Sequence, residues 1–105
     1  EESGYKLDAI SDLSRLISIS PRHAAALYRR GRLKDEQGDY KSAILDYDSS
    51  LSVNSVQANV LNNRGLAKSA LGQFSDAIAD FDKEREEAAK ARAAQENDSE
   101  GPTEL

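Results

Sequence analysis

The chain has 105 residues, of which 31% are charged and 38% apolar, a balance that suits a small helical domain with a thin core. Its net charge of −5 argues against the basic surface that nucleic-acid binding needs, and no run approaches the roughly 20 apolar residues of a membrane-spanning helix. Cysteine is absent and His23 is the one histidine, which excludes disulfides, thiolate metal sites and a histidine cluster within one chain.

Five helices are expected. The first, about 5–19, carries Leu7, Ile10, Leu13, Leu16, Ile17 and Ile19 in a broad apolar stripe, and Pro21 marks its end. The second, about 23–37, holds a glycine, Gly31, that close packing must justify. A mid-helix glycine otherwise costs about 1 kcal/mol. Gly38 suits the left-handed residue that closes a helix, and Asp39 opens the third helix, about 40–53, with Tyr40, Ala43, Ile44, Tyr47 and Leu51 at helical spacing. After a break at Ser52–Ser55, the fourth helix, about 57–71, repeats the internal glycine as Gly65. Gly72 then leads into the fifth, about 74–95, with Phe74, Ala77, Ile78 and Phe81. The fifth helix runs on through FDKEREEAAKARAAQ, rich in strong helix formers and in pairs such as Glu86–Lys90. The acidic tail, 96–105, is expected to be disordered.

These elements repeat at a fixed interval. Gly4, Gly38 and Gly72 are evenly spaced, and the same step relates Ala9, Ala43 and Ala77, then Ile10, Ile44 and Ile78, then Asp12, Asp46 and Asp80. Arg30-Gly31 returns as Arg64-Gly65. The runs YRRGRLKDEQGDYKSAILDYDSSLSVN and LNNRGLAKSALGQFSDAIADFDKE resemble the tetratricopeptide repeat, a resemblance that covers about 4–85. It implies an all-α fold, a right-handed solenoid of antiparallel helix hairpins. Residues 1–21 are then the second helix of an incomplete first repeat, 22–55 a complete repeat, and 56–95 a complete repeat with an extended capping helix. The sequence departs from the family pattern where Arg30 and Arg64 replace a usual leucine, and where Ser55 replaces a proline that Pro21 keeps.

The arginines have a physical account. Arg30 precedes Asp46 by the same interval at which Arg64 precedes Asp80, a separation at which positions face each other across a helical hairpin. Ion pairs Arg30–Asp46 and Arg64–Asp80 are expected, each a two-bonded fork that fixes register. Asp12 would need an arginine before Glu1, so the first repeat lacks its first helix in this sequence. One side of the stripe can rest on the helix containing Leu27, and the other lacks its natural neighbour. Leu7, Ile10, Leu13 and Ile17 are therefore a possible docking stripe for a partner or a second copy.

Catalysis finds no support, for there is no phosphate loop, nucleophile elbow or Cys/His pairing, and no metal ligand set converges at Asp46-Tyr47-Asp48. No cofactor is expected. The resemblance instead implies peptide holding on a concave face lined by the first helix of each repeat, where Tyr28, Arg29, Arg32, Asn59, Asn62 and Asn63 form a polar groove for an acidic or extended segment. The family's chaperone-tail clamp is not matched, because only Asn63 falls at a clamp position. A basic run, Arg22 to Lys41, contrasts with the acidic C-terminal half and favours an acidic partner. Asn97-Asp98-Ser99 matches a glycosylation acceptor, and Thr103-Glu104-Leu105 a strand-addition ligand, both patterns common by chance. With no secretory pattern, an intracellular home is expected. The expected function is a non-enzymatic scaffold or adaptor; the alternative is a fixed subunit or homodimer docking through the N-terminal stripe.

Overall fold

In the computed structural model, which describes residues 2–100 and the side chains of 4–96, five helices follow one another: α1 (Glu2–Ile19), α2 (Ala24–Glu36), α3 (Tyr40–Val53), α4 (Ala58–Ala70) and α5 (Phe74–Glu100). α2 packs on α3 and α4 on α5 as antiparallel hairpins, α3 joins the two hairpins by packing on α4, and α1 packs on α2.

Local chemistry explains where the helices end. Gly38 and Gly72 take φ of 83° and 79°, the left-handed conformation that glycine adopts without a Cβ penalty. Behind Gly38, the Asp39 amide donates to the Lys34 carbonyl at 2.9 Å and the Gly38 amide to Asp35 at 2.9 Å. Gln73 and Gly72 repeat both bonds onto Lys68 and Ser69. This double bond pattern satisfies carbonyls that the helix end would otherwise leave open. Gly4 does not share the role, because α1 begins at Glu2 and runs straight through it. Asp39 caps α3 by accepting from the Ser42 amide, and His23 caps α2 by accepting at Nδ1 from the Ala26 amide at 3.1 Å.

The core is one small cluster, Ala43, Tyr47, Val60 and Ala67, with Tyr28, Tyr40, Ile44 and Leu51 packed on it. Gly31 and Gly65 are required by close approach. A Cβ on Gly31 would stand 2.7 Å from the Tyr47 ring, and one on Gly65 2.6 Å from the Phe81 ring. Ser50, fully buried, donates to the Ala24 carbonyl at 3.0 Å and ties the end of α3 to the start of α2.

The fifth helix reaches Glu100, beyond the expected end at 95, because its Ala, Glu, Lys and Arg run contains no breaker. Residues 96–100 of the expected tail are thus helical in backbone, and 101–105 lie outside the described residues. So do the side chains of Asn97-Asp98-Ser99 and the segment Thr103-Glu104-Leu105. No described helix is long and apolar enough to cross a membrane.

Candidate functional site

Two charged clusters hold the hairpins in register. Arg30 donates from Nε and Nη2 to the two Asp46 oxygens at 2.9 and 2.7 Å, and Lys34 adds a contact of 3.1 Å. Arg64 does the same to Asp80 at 2.9 and 2.7 Å, with Lys68 at 3.1 Å. Each guanidinium also reaches back to the preceding second helix: Arg30 Nη1 to Ser14 Oγ at 3.1 Å, and Arg64 Nη1 to Asp48 at 2.8 Å. Asp46 and Asp80 are only 4% and 5% exposed, so these are buried carboxylates whose partners compensate the lost water. Burial alone would push the Asp80 carboxyl up. Hydrogen bonds from Arg64 and Lys68 outweigh it and hold the group below the usual carboxylate range. Both arginines are pushed above their ordinary value, chiefly by the hydrogen bond to the paired aspartate.

The lysine contacts also have a sequence signal, which the arginine spacing alone does not supply. Arg-Gly-x-x-Lys occurs in both complete repeats, as Arg30-Gly31 with Lys34 and Arg64-Gly65 with Lys68. One helical turn separates each arginine from its lysine, which places both cations on one carboxylate.

A groove of about 580 Å³ opens where α1 meets α2. Ala9, Asp12 and Leu13 form its α1 wall; Tyr28, Arg29, Arg32, Leu33 and Glu36 form its α2 wall. A smaller hollow continues it toward His23, sharing Leu13 and Arg29. Arg29 and Arg32 are exposed, and Arg32 lies 3.9 Å from Glu36, which Lys6 also meets at 3.4 Å. The Tyr28 hydroxyl, as a hydrogen-bond partner, raises the Arg32 pKa further above its ordinary value.

The six residues expected on one polar face are thus divided. Tyr28, Arg29 and Arg32 come together in the groove. Asn63 lies beside them but spends its amide internally, donating to Tyr28 Oη at 3.0 Å and to the Asn59 carbonyl at 2.8 Å, and so it links α4 to α2. Asn59 is exposed and Asn62 half-buried, and neither lines the groove. The apolar stripe is divided too. Leu13 faces the groove, Leu7 is 58% exposed, and Ile10 and Ile17 are half-buried. The last two hold the positions of Ile44 and Leu51 one repeat later, which pack on the core. Sequence reasoning missed Asp12, Ala9 and Leu33 as groove residues. The signal for the first two was that they stand one repeat before buried Asp46 and Ala43. Among the described residues, no group of three or more His, Asp or Glu side chains is set to hold a metal.

The tetratricopeptide repeat family profile matches residues 24–56. Among solved structures, a crystal structure of MamA superposes with a TM-score of 0.82 at 28% identity, over 85% of this chain and 52% of that one. A second MamA structure gives 0.75 at 26% identity, over 95% and 50%. The chain therefore spans about half the length of the MamA chains it matches. No curated protein matches it in sequence. One repeat is thus a tetratricopeptide repeat by profile, the next hairpin is built on the same contacts, and the chain shares with MamA an all-α, right-handed solenoid fold of the tetratricopeptide type.

Proposed function

We propose that the chain is a non-enzymatic protein-interaction module that holds a partner segment in the groove between α1 and α2. The observation that carries this reading is the meeting of Tyr28, Arg29 and Arg32 in one open groove of about 580 Å³. Its walls combine apolar Ala9, Leu13 and Leu33 with two exposed guanidinium groups, a surface suited to a segment with acidic and apolar residues. The family, whose members generally act as scaffolds rather than catalysts, supports the same class of function.

Selection of binders from a displayed peptide library tests it. Peptides bearing acidic residues should be enriched, and Arg29→Glu with Arg32→Glu should weaken them by about tenfold or more, the scale of a lost charge-assisted bond. Retention of binding after both reversals would overturn the groove reading.

A second reading, a fixed subunit or homodimer docking through the N-terminal stripe, draws on the exposure of Tyr5, Leu7 and Ile19, at 77%, 58% and 82%. Light scattering over a dilution series separates the two: a dimer that persists on dilution and dissociates in a Leu7→Glu variant supports the stripe.

A further inference from the structure

The two joints between repeats are built alike and charged differently. Where α3 meets α4, Arg64 and Lys68 face two carboxylates: Asp80, which Arg64 forks, and Asp48, at 2.8 Å from Arg64 Nη1. Where α1 meets α2, Arg30 and Lys34 face one carboxylate, Asp46, and the Nη1 bond goes instead to the Ser14 hydroxyl at 3.1 Å. Among the described residues, the α3–α4 joint is thus balanced in charge, and the α1–α2 joint is short of one anion.

Ser14 and Asp48 stand one repeat apart, and one repeat further on the same position holds Asp82. The serine is therefore the neutral member of a position that is otherwise an acid. It also behaves unlike its neighbours. Ser18, Ser49 and Ser52 turn their hydroxyls onto carbonyls of their own helix, whereas Ser14 Oγ accepts from a guanidinium of the next helix. An anion attached to that oxygen lands beside Arg30 Nη1, in reach of a charge-assisted bond.

The position stays at the surface with the stack intact. Asp48 keeps 48% of its side chain exposed although α3 packs on both α2 and α4. Ser14 is half-buried at the corresponding edge. A group larger than an aspartate can project from there into water while one of its oxygens remains on the arginine.

We propose that Ser14 is a phosphorylation site whose phosphate supplies the missing anion at Arg30 and fastens α1 to α2. A protein kinase transfers the terminal phosphoryl group of a nucleoside triphosphate. The bond from that phosphorus to the bridging oxygen breaks, a bond from Ser14 Oγ to phosphorus forms, the hydroxyl proton passes to the kinase's base, and the nucleoside diphosphate leaves. The product carries a charge of about −1.5 to −2 at neutral pH and three acceptor oxygens, so it bonds Arg30 Nη1 and leaves the fork onto Asp46 in place. The sign of the effect is specific. Ser14 lies in the C-terminal half of α1, where the helix dipole gives an anion no help, so a negative charge that met no cation would bring no stability. The proposal goes beyond the interaction-module reading and does not depend on it.

Phosphoserine installed at position 14 of the full chain tests the site, with phosphoserine at position 11, exposed on the same helix, as the comparison. The thermal midpoint followed by circular dichroism should rise by about 2–4 °C for the first form and not for the second. The phosphorus resonance of the first should titrate at a pH about half a unit lower. Ser14→Asp should raise the midpoint and Asp48→Ser lower it. Phosphoserine at 14 that lowers the midpoint, or that titrates like the one at 11, would overturn the site. Mass spectrometry of the chain recovered from its own cells should find phosphate on Ser14, and its absence there would overturn the modification. If the unmodified chain gains the same stability from millimolar inorganic phosphate, and Ser14→Asp removes that gain, the joint takes a free anion and the proposal is overturned as well. None of these readouts uses the groove, so their failure leaves the peptide-holding reading standing.

Discussion

Gly31 and Gly65 are chemically identical positions set against different neighbours. Tyr47 is fully buried and its hydroxyl donates to Asp35 at 3.0 Å, so the ring cannot swing away from a methyl on residue 31. Phe81 is half-buried and has no such anchor. Overpacking costs about 1–3 kcal/mol, against a helix-propensity gain of about 1 kcal/mol. Gly31→Ala should therefore destabilise by about 1–2 kcal/mol and Gly65→Ala by distinctly less, read from urea midpoints. The arginine forks make a second residue-scale prediction. Truncating either Arg30 or Asp46 to alanine should cost roughly 3–5 kcal/mol, and the double mutant little more, because the single changes strand a buried charge. Asp80 adds pH dependence. Its folded pKa lies below the unfolded one, so its contribution is complete above the unfolded value of about 3.9 and is lost as pH falls from there through the folded value. Chemical denaturation across that acidic window should show a stability loss that Asp80→Asn flattens. The forks were readable from sequence spacing alone because hairpin geometry fixes which positions face each other. The internal use of Asn63 was not, since an asparagine in sequence carries no sign of whether its amide meets a ligand or Tyr28.

Helix lengths tell a different story at the scale of the element. α4 spans 13 residues, about 20 Å, whereas α5 spans 27, about 40 Å, so the distal half of α5 runs past its hairpin mate. From Ala89 to Glu96 no side chain is buried, and the helix persists there on propensity and on contacts such as Lys90 with Glu86 and Glu87. A chain ending at Ala88 should keep its unfolding free energy within about 0.5 kcal/mol while losing helical circular dichroism, and a much larger loss would mean that the distal half packs on the solenoid. The sequence was informative about where α1 to α4 stop, because glycine, proline and capping residues punctuate them. It was less so about α5, whose last turns carry no glycine or proline signal before Gly101.

At the scale of the molecule, the described helices at the two ends of the solenoid are less covered than those between them. Among the described residues α1 packs on α2 alone, and Phe74 and Ile78 of α5, 62% and 58% exposed, hold the positions that Tyr40 and Ile44 fill against the core. α3 and α4 lie in the middle of the stack, each packed both on its hairpin mate and on the other. Amide exchange should accordingly be slowest in α3 and α4 and faster toward α1 and distal α5; uniform protection would contradict a nearest-neighbour stack. The constant repeat interval made this architecture legible, because every repeat solves the same packing problem with the same residues. The groove was legible only in part: Tyr28, Arg29 and Arg32 were named, but their meeting with Ala9 and Asp12 depends on how α1 packs on α2, which spacing within one helix does not show. The arginine contacts that cross from repeat to repeat carry one more consequence. Arg30 reaches back to Ser14 and Arg64 to Asp48, always to the second helix of the repeat before. A ribosome makes the chain in that same direction. Each arginine thus emerges after the oxygen that steadies it, and awaits only its own aspartate, which follows within the same hairpin. Every contact that ties one repeat to the repeat before it is thus made by a residue synthesised after its partner.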